Sequence, residues 1–222
     1  MGVRAAAVWE PGWDLEAARA ALAVADPALV PALRVPLPPR PARGLVAQLV
    51  RAICAQQVSV AAADALEVRL WDACGGEVSA QALLRLGAEG VRAAGLSRAK
   101  ASCLQSMAEA MAQGRLDQET MAGKDDETVI GQLVALPGIG RWTAEMVLLF
   151  GLHRPDVWPA SDLGIRIAVG LLEDGGGRHA VPRPAAVAAR GHVWRPHRST
   201  AALALWAWRR SLREGGTQGT VE

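Results

Sequence analysis

Residues 136–144 read Leu136-Pro137-Gly138-Ile139-Gly140-Arg141-Trp142-Thr143-Ala144. Two glycines around an isoleucine, entered through a proline, predict a tight turn that opens directly into a helix. Proline presets its own φ, and glycine at either position can adopt φ > 0 and leaves no side chain in the way. Backbone N–H groups of the turn and of the first helical turn can therefore face outward together. Such a group of donors is an anion site, and the natural anion is a phosphate.

Composition limits the class of protein. The chain has 222 residues, is 51% hydrophobic and carries a net charge of only +2, so any basic surface must be local. A chain of this size can bury one substantial core or two small lobes. Three cysteines, Cys54, Cys74 and Cys103, stand far apart and lack the spacing of an iron–sulfur cluster. We therefore expect a reduced, cytoplasmic protein of the bacterial type, without a membrane span.

Apolar residues recur at helical spacing along nearly the whole chain, which predicts an all-α fold. The pattern predicts short helices near 79–86 and 88–94, a longer helix after Ser97, and helices near 126–136 and 141–151 on either side of the turn. Later helices are expected over about 162–172, 184–190 and 197–212. Trp206 and Trp208 are two residues apart and cannot share a helix face, so we expect one inside and one near the surface.

The sequence after the turn carries a resemblance to a known family. The segments concerned are Trp142-Thr143-Ala144-Glu145-Met146-Val147-Leu148, Arg154-Pro155-Asp156-Val157-Trp158-Pro159 and Asp162-Leu163-Gly164-Ile165-Arg166. In order and spacing they resemble the hairpin, helix, loop and catalytic aspartate of the helix-hairpin-helix (HhH-GPD) family of base-excision DNA glycosylases. The likeness is greatest to the monofunctional alkylation-repair branch, which includes bacterial 3-methyladenine DNA glycosylase II.

The resemblance implies a fold of two helical lobes with an active-site cleft between them. Residues 45–158 would form a central lobe that contains the helix-hairpin-helix motif, about 126–151. Residues 1–44 would join residues 159–222 in the second lobe. The β-rich N-terminal domain of larger members is expected to be missing, because the residues before Gly44 have a helical pattern.

Asp162 would be the catalytic residue by this resemblance. Breaking an N-glycosidic bond builds positive charge on the deoxyribose as the base departs, and a fixed carboxylate stabilises that charge and can activate the attacking water. An aspartate before an apolar helical run is also an ordinary N-cap. The two roles can coexist in one side chain.

Four residues would line the base pocket by the same resemblance: Trp142, Met146, Leu163 and Trp194. Bifunctional relatives carry a nucleophilic lysine at the place of Trp142, so no AP-lyase activity is expected. An indole there can stack on a flipped base, and it attracts a cationic alkylated base more strongly. Trp142 and Trp194 could instead be core residues. Met146 and Leu163 stand where some relatives have tyrosines.

Further residues would contact DNA. Gln57 matches the position of the wedge residue that fills the space left by the flipped nucleotide, although it could be a solvated loop residue. The phosphate would be bound at the turn and the first helical turn, by Gly138, Ile139, Gly140, Trp142 and Thr143. The carbonyls of Val134, Leu136 and Ile139 match places that bind a sodium or potassium ion in the family. No catalytic cofactor and no iron–sulfur cluster are expected.

The function that follows is hydrolytic excision of alkylated purines, such as 3-methyladenine, from double-stranded DNA in base excision repair. The partner would be damaged double-stranded DNA, bound by a monomer. Two alternatives remain at this point. One is a non-catalytic DNA-binding protein that uses the hairpin alone, and the other is the same fold acting on uracil, hypoxanthine or a mismatch.

Overall fold

A computed structural model of the chain describes residues 7–173 and 181–216. The described part is all-α, as predicted, and its only extended pairing is an isolated bridge between Val8 and Pro41. The helices, in chain order, are α1 (Leu15–Ala25), α2 (Val30–Leu33), α3 (Leu45–Cys54), α4 (Val60–Ala73), α5 (Ala80–Ala93), α6 (Arg98–Ala112), α7 (Gln118–Ala122), α8 (Asp126–Val134), α9 (Arg141–Phe150), α10 (Leu163–Glu173), α11 (Pro184–Arg190) and α12 (Arg198–Gly216). Short 3₁₀ turns at Pro27–Leu29 and Gly191–Trp194 precede α2 and α12.

Local capping explains where several helices begin. The Ser59 and Ser97 side chains accept hydrogen bonds from the third residue beyond them, at the starts of α4 and α6. Gly87 has φ +68 and breaks α5 into the two short helices predicted from the sequence. The short helix α7 was not predicted, because five residues are too few to display a helical period.

The chain divides into two compact units. Unit 2 comprises residues 43–152 and contains α3 to α9, with α3 packed against α4, α6 and α9. Unit 1 comprises residues 1–42 and 153–222, and within it α12 packs against α1, α2 and α10. The core of unit 1 includes Leu22, Trp158, Ile165, Trp194 and Leu205.

The unit boundaries differ from the sequence expectation, which placed them after Gly44 and Trp158. The structure places them after Ala42 and Leu152. Residues 153–158 belong to unit 1 because Ser199 Oγ donates to the Arg154 carbonyl at 2.6 Å and accepts from the Val157 N–H at 2.9 Å. The indole of Trp158 lies in the unit 1 core.

Among the described residues, no helix is both long enough and apolar enough to cross a membrane.

Candidate functional site

The turn between α8 and α9 has the features of a type II β-turn. Pro137 is its second residue and Gly138 its third, and Gly138 has φ +83. The Ile139 N–H donates to the Leu136 carbonyl at 3.2 Å and closes the turn. The side chains of Leu136 and Ile139 are buried, so they anchor the turn in unit 2.

The first turn of α9 lacks a side-chain cap. Gly140 is the N-cap residue and has extended backbone, φ −94 and ψ 171, with no side chain to accept a hydrogen bond. Of the two glycines that could adopt φ > 0, only Gly138 does so. Thr143 is buried and its hydroxyl accepts a hydrogen bond from Gln56, so a phosphate contact there would use its backbone N–H.

The cationic side chain at the hairpin, Arg141, is already paired with carboxylates. The Arg141 guanidinium donates to Glu127 at 3.0 Å and to Glu145 at 3.2 Å. The hydrogen bond from Arg141 lowers the pKa of Glu127. Residues 43–152 hold 10 lysines and arginines against 12 aspartates and glutamates. An anion at this hairpin would therefore be attracted by backbone N–H groups and the α9 dipole.

The loop between α3 and α4 carries Gln57, whose side chain is exposed. Its backbone has φ +55, which is uncommon for a residue other than glycine and marks positions that the surrounding structure constrains. The Lys100 ammonium donates to the Cys54 carbonyl at 2.9 Å and holds the end of α3. The loop thus presents Gln57 from a fixed backbone.

Trp142 and Met146 lie one helical turn apart and share one face of α9. Trp142 is half-buried, and Met146 is 6% exposed. In unit 2 the structure therefore places these two predicted pocket residues on the helix that follows the turn at residues 136–139. Leu163, the third predicted pocket residue, belongs to unit 1, where it follows Asp162 and is 59% exposed.

Asp162 is the N-cap of α10, and its carboxylate is also held by a tryptophan. Its Oδ1 accepts from the Ile165 N–H at 2.8 Å and from Trp206 Nε1 at 2.9 Å. A carboxylate at a helix N-terminus is stabilised by the helix dipole, and two donors on one oxygen fix its orientation. The capping role and a catalytic role are compatible, because an oriented carboxylate is what charge stabilisation requires.

Sequence reasoning missed the partner of Asp162. Trp206 is half-buried on α12 and packs against the unit 1 core, and so does Trp208, contrary to the expectation that one of the two would lie near the surface. Gly164 leaves room for the contact, since a Cβ there would lie 2.9 Å from Asp162 Oδ1 and 3.2 Å from the Trp206 indole. The two tryptophans on an alanine-rich helix were the available signal, but the sequence did not indicate that either would contact Asp162.

The structure corrects the prediction that Trp194 lines the base pocket. Its side chain has 0% exposure and lies in the unit 1 core, edge-on to Trp158 with ring centroids 4.9 Å apart. Its Nε1 donates to Asp26 at 2.8 Å, and the Arg190 guanidinium lies 4.7 Å above its ring. An indole enclosed in this way offers no face to a base. Trp194 is therefore a core residue, and the structure does not support a pocket role for it.

The three cysteines are free thiols. Cys103 packs against Gly138 of the hairpin. A Cβ placed on Gly138 would lie 3.0 Å from the Cβ of Cys103. Burial raises the pKa of the Cys54 and Cys103 thiols to about 11, so both remain protonated at neutral pH.

Comparison with known proteins identifies the family. Residues 50–183 match the model of the HhH-GPD superfamily of base excision DNA repair proteins, and the chain belongs to this family. DNA-3-methyladenine glycosylase 1 of Schizosaccharomyces pombe is 34% identical over 162 residues, which cover 72% of this chain and 70% of that protein. DNA-3-methyladenine glycosylase 2 of Escherichia coli is 31% identical over 169 residues, 72% of this chain and 56% of the relative.

Solved structures agree with this assignment. The structure of the S. pombe 3-methyladenine DNA glycosylase in complex with abasic DNA has a TM-score of 0.78 and 31% identity, and the match covers 86% of this chain and 95% of that one. A DNA-3-methyladenine glycosidase from Bacillus halodurans has a TM-score of 0.72 and 31% identity, with coverage of 89% and 91%.

Proposed function

We propose that this protein is a monofunctional DNA glycosylase that excises alkylated purines of the 3-methyladenine type from double-stranded DNA in base excision repair. The observation that carries the proposal is the carboxylate of Asp162, held by two N–H donors at the start of α10. Relatives named 3-methyladenine DNA glycosylases supply the class of damaged base. The protein acts as a monomer, on nucleoid DNA in a bacterial-type cell.

Asp162 acts on the sugar of the flipped nucleotide. As the bond between the base and C1′ lengthens, the base leaves with the bonding electron pair and positive charge develops on the deoxyribose. The fixed carboxylate stabilises that charge, and it orients or deprotonates the water that adds to C1′. The products are the free base and an abasic site, and the DNA strand stays intact.

In the alternative chemistry a lysine forms a Schiff base with the sugar, and neither lysine of this sequence stands at the position where that residue is expected. Trp142 stands where bifunctional relatives have that lysine. Lys100 and Lys124 are the only lysines in the sequence, and the Lys100 ammonium is bound to the Cys54 carbonyl. The absence of AP-lyase activity follows.

The hairpin binds the DNA backbone through its main chain. The N–H groups of Gly138, of Gly140 and of the first turn of α9 donate to a phosphate, and the glycines allow close approach. The Ile139 N–H does not take part, because it donates to the Leu136 carbonyl. Gln57 enters the duplex and fills the space left by the flipped nucleotide. Trp142 and Met146 of unit 2 contact the extruded base, and cation–π attraction to a cationic alkylated purine adds roughly 0.5–2 kcal/mol.

The carbonyls of Val134, Leu136 and Ile139 would hold a sodium or potassium ion, whose positive charge would add to the attraction for a DNA phosphate. Val134 ends α8, and backbone carbonyl oxygens, each with two lone pairs, suit hard cations. Replacing potassium by tetramethylammonium at equal ionic strength should weaken binding to abasic duplex DNA. Equal affinity in the two salts would contradict the cation site.

The proposal is tested with labelled duplexes that each carry one lesion: 3-methyladenine, 7-methylguanine, uracil, hypoxanthine or a mismatch. After incubation with the protein, alkali cleaves the strand wherever a base has been released. Release of methylated purines supports the proposal. Release confined to uracil, hypoxanthine or a mismatch would contradict the substrate class, and binding without release of any base would contradict the enzymatic function.

A further inference from the structure

Gln56 joins the loop that carries Gln57 to the hairpin. Its side-chain Nε2 donates to the Gly138 carbonyl at 3.0 Å and to the Thr143 hydroxyl, also at 3.0 Å. Gly138 is the third residue of the turn, and Thr143 lies in the first turn of α9. One side chain from the loop after α3 therefore contacts both parts of the hairpin.

The chemistry of these contacts is specific to a primary amide. A carbonyl only accepts, so the atom facing Gly138 must be the amide nitrogen, and an NH₂ group has two hydrogens for two acceptors. The peptide between Gly138 and Ile139 is thereby held on both sides. The carbonyl of this peptide, from Gly138, accepts the hydrogen bond from Gln56. The N–H of the same peptide, from Ile139, donates to the Leu136 carbonyl at 3.2 Å. This peptide sets the direction of the N–H groups that follow it in the turn.

The same side chain restrains the loop. Gln57, the next residue, has φ +55, and Lys100 binds the Cys54 carbonyl two residues before Gln56. The backbone is thus held on either side of Ala55 and immediately before Gln57. A non-glycine residue keeps a left-handed backbone only where its surroundings enforce it, and the Gln56 side chain connects this backbone to the hairpin.

We propose that Gln56 is a positioning residue that couples phosphate binding at the hairpin to insertion of Gln57 into the duplex. This inference rests on the wedge role of Gln57 in the proposed function. In this arrangement a phosphate held by the turn fixes the Gly138 peptide, and through Gln56 it fixes the loop from which Gln57 enters the DNA. Loss of the Gln56 amide uncouples the two events.

The test is a double-mutant cycle between Gln56→Leu and Gln57→Ala, measured by fluorescence anisotropy on abasic and intact duplexes at one salt concentration. Leucine keeps much of the side-chain volume but removes both donors. We expect Gln56→Leu to weaken abasic-DNA binding about tenfold and intact-duplex binding about threefold or less. In the Gln57→Ala background the additional loss on abasic DNA should shrink to the factor seen on intact duplex.

Gln105→Leu is the matched control. Gln105 also lies in unit 2, and its Nε2 donates to the Leu83 carbonyl at 2.9 Å, away from the hairpin. It should change both DNA affinities equally or not at all. Thr143→Val removes one of the two acceptors with little change in shape, and it should reproduce the Gln56→Leu pattern at smaller amplitude if Gln56→Leu folds poorly.

Equal losses on both DNAs, or effects of Gln56→Leu and Gln57→Ala that multiply independently on abasic DNA, would overturn the coupling. Excision by the wild-type protein is measured in parallel. A wild-type protein that binds abasic DNA but releases no base would contradict the proposed function, whereas the binding cycle would still decide the role of Gln56.

Discussion

Asp162 has a structural role in the fold and a proposed role in the chemistry. Its Oδ1 accepts a hydrogen bond from the Ile165 N–H, as is usual for an N-cap aspartate. The same oxygen also accepts a hydrogen bond from Trp206 Nε1. The second contact is not needed for capping, and it requires Gly164 to lack a side chain. We interpret the indole as a device that fixes the carboxylate plane relative to α10.

Replacing Trp206 by phenylalanine tests this interpretation. The variant keeps an aromatic ring against the unit 1 core but loses the donor to Asp162, and a hydrogen bond to a charged group contributes about 1.5–3 kcal/mol. Single-turnover excision should therefore slow about tenfold or more, while abasic-DNA affinity stays near that of the wild type. Trp208→Phe, on the same helix and core, is the control. Equal rates for the two variants would remove Trp206 from the positioning role.

For Trp194 the quantity to measure is stability rather than excision, because this side chain lies in the core of unit 1. Trp194→Ala should lower the free energy of unfolding by about 3–5 kcal/mol, measured by denaturant titration, because it leaves a large cavity. It also leaves Asp26 without one of its donors. A variant with unchanged stability but impaired excision would restore the pocket role that the sequence suggested.

The hairpin shows how much a local element depends on its backbone. The two glycines look equivalent in sequence, but only Gly138 has φ > 0 and lies against Cys103. Gly140 has ordinary extended backbone, and a Cβ there would meet nothing within 4 Å. Gly138 is therefore required by the backbone conformation of the turn, whereas the missing side chain of Gly140 matters for the approach of a phosphate.

Valine substitutions separate these constraints. Gly138→Val should destabilise the fold by roughly 1–3 kcal/mol, because a β-branched residue is strained at φ +83. Gly140→Val should leave stability nearly unchanged and weaken binding to damaged and undamaged duplex alike, since its side chain obstructs phosphate approach. Thermal melts and anisotropy measure the two effects. If Gly140→Val binds DNA as the wild type does, the phosphate does not contact the hairpin main chain.

The elements themselves were largely predictable, because capping and periodicity are local signals. The start of α6 follows from Ser97, and the turn before α9 follows from its proline and glycines. What the sequence did not indicate was which distant residues meet. The contact between Asp162 and Trp206 spans 44 residues, and the burial of Trp194 depends on the 3₁₀ turn and on Asp26. Such contacts arise from tertiary packing.

The lysine content of the whole molecule constrains its chemistry. With Lys100 bound to a carbonyl and Lys124 the only other lysine, incubation with borohydride and lesion-containing DNA should trap no covalent protein–DNA complex. Denaturing electrophoresis provides the measurement, with a bifunctional glycosylase as positive control. A trapped adduct that disappears when either lysine is mutated would establish a lyase.

The charge of the molecule is unevenly divided between its units. Unit 2, which contains the hairpin, holds slightly more acidic than basic residues, and Arg141 is paired with glutamates. In the proposed function, DNA binding therefore depends on oriented main-chain groups and catalysis on one oriented carboxylate, with little contribution from net charge. The catalytic assignment depends on Asp162 acting at the sugar.

Single-turnover excision of 3-methyladenine by the wild type and by Asp162→Asn tests this claim most directly. Asparagine keeps the size and capping ability of aspartate but cannot supply a full negative charge. The excision rate should fall on the order of 10²–10³-fold while abasic-DNA affinity is retained. A variant that excises the base at nearly the wild-type rate would show that Asp162 is only the N-cap of α10.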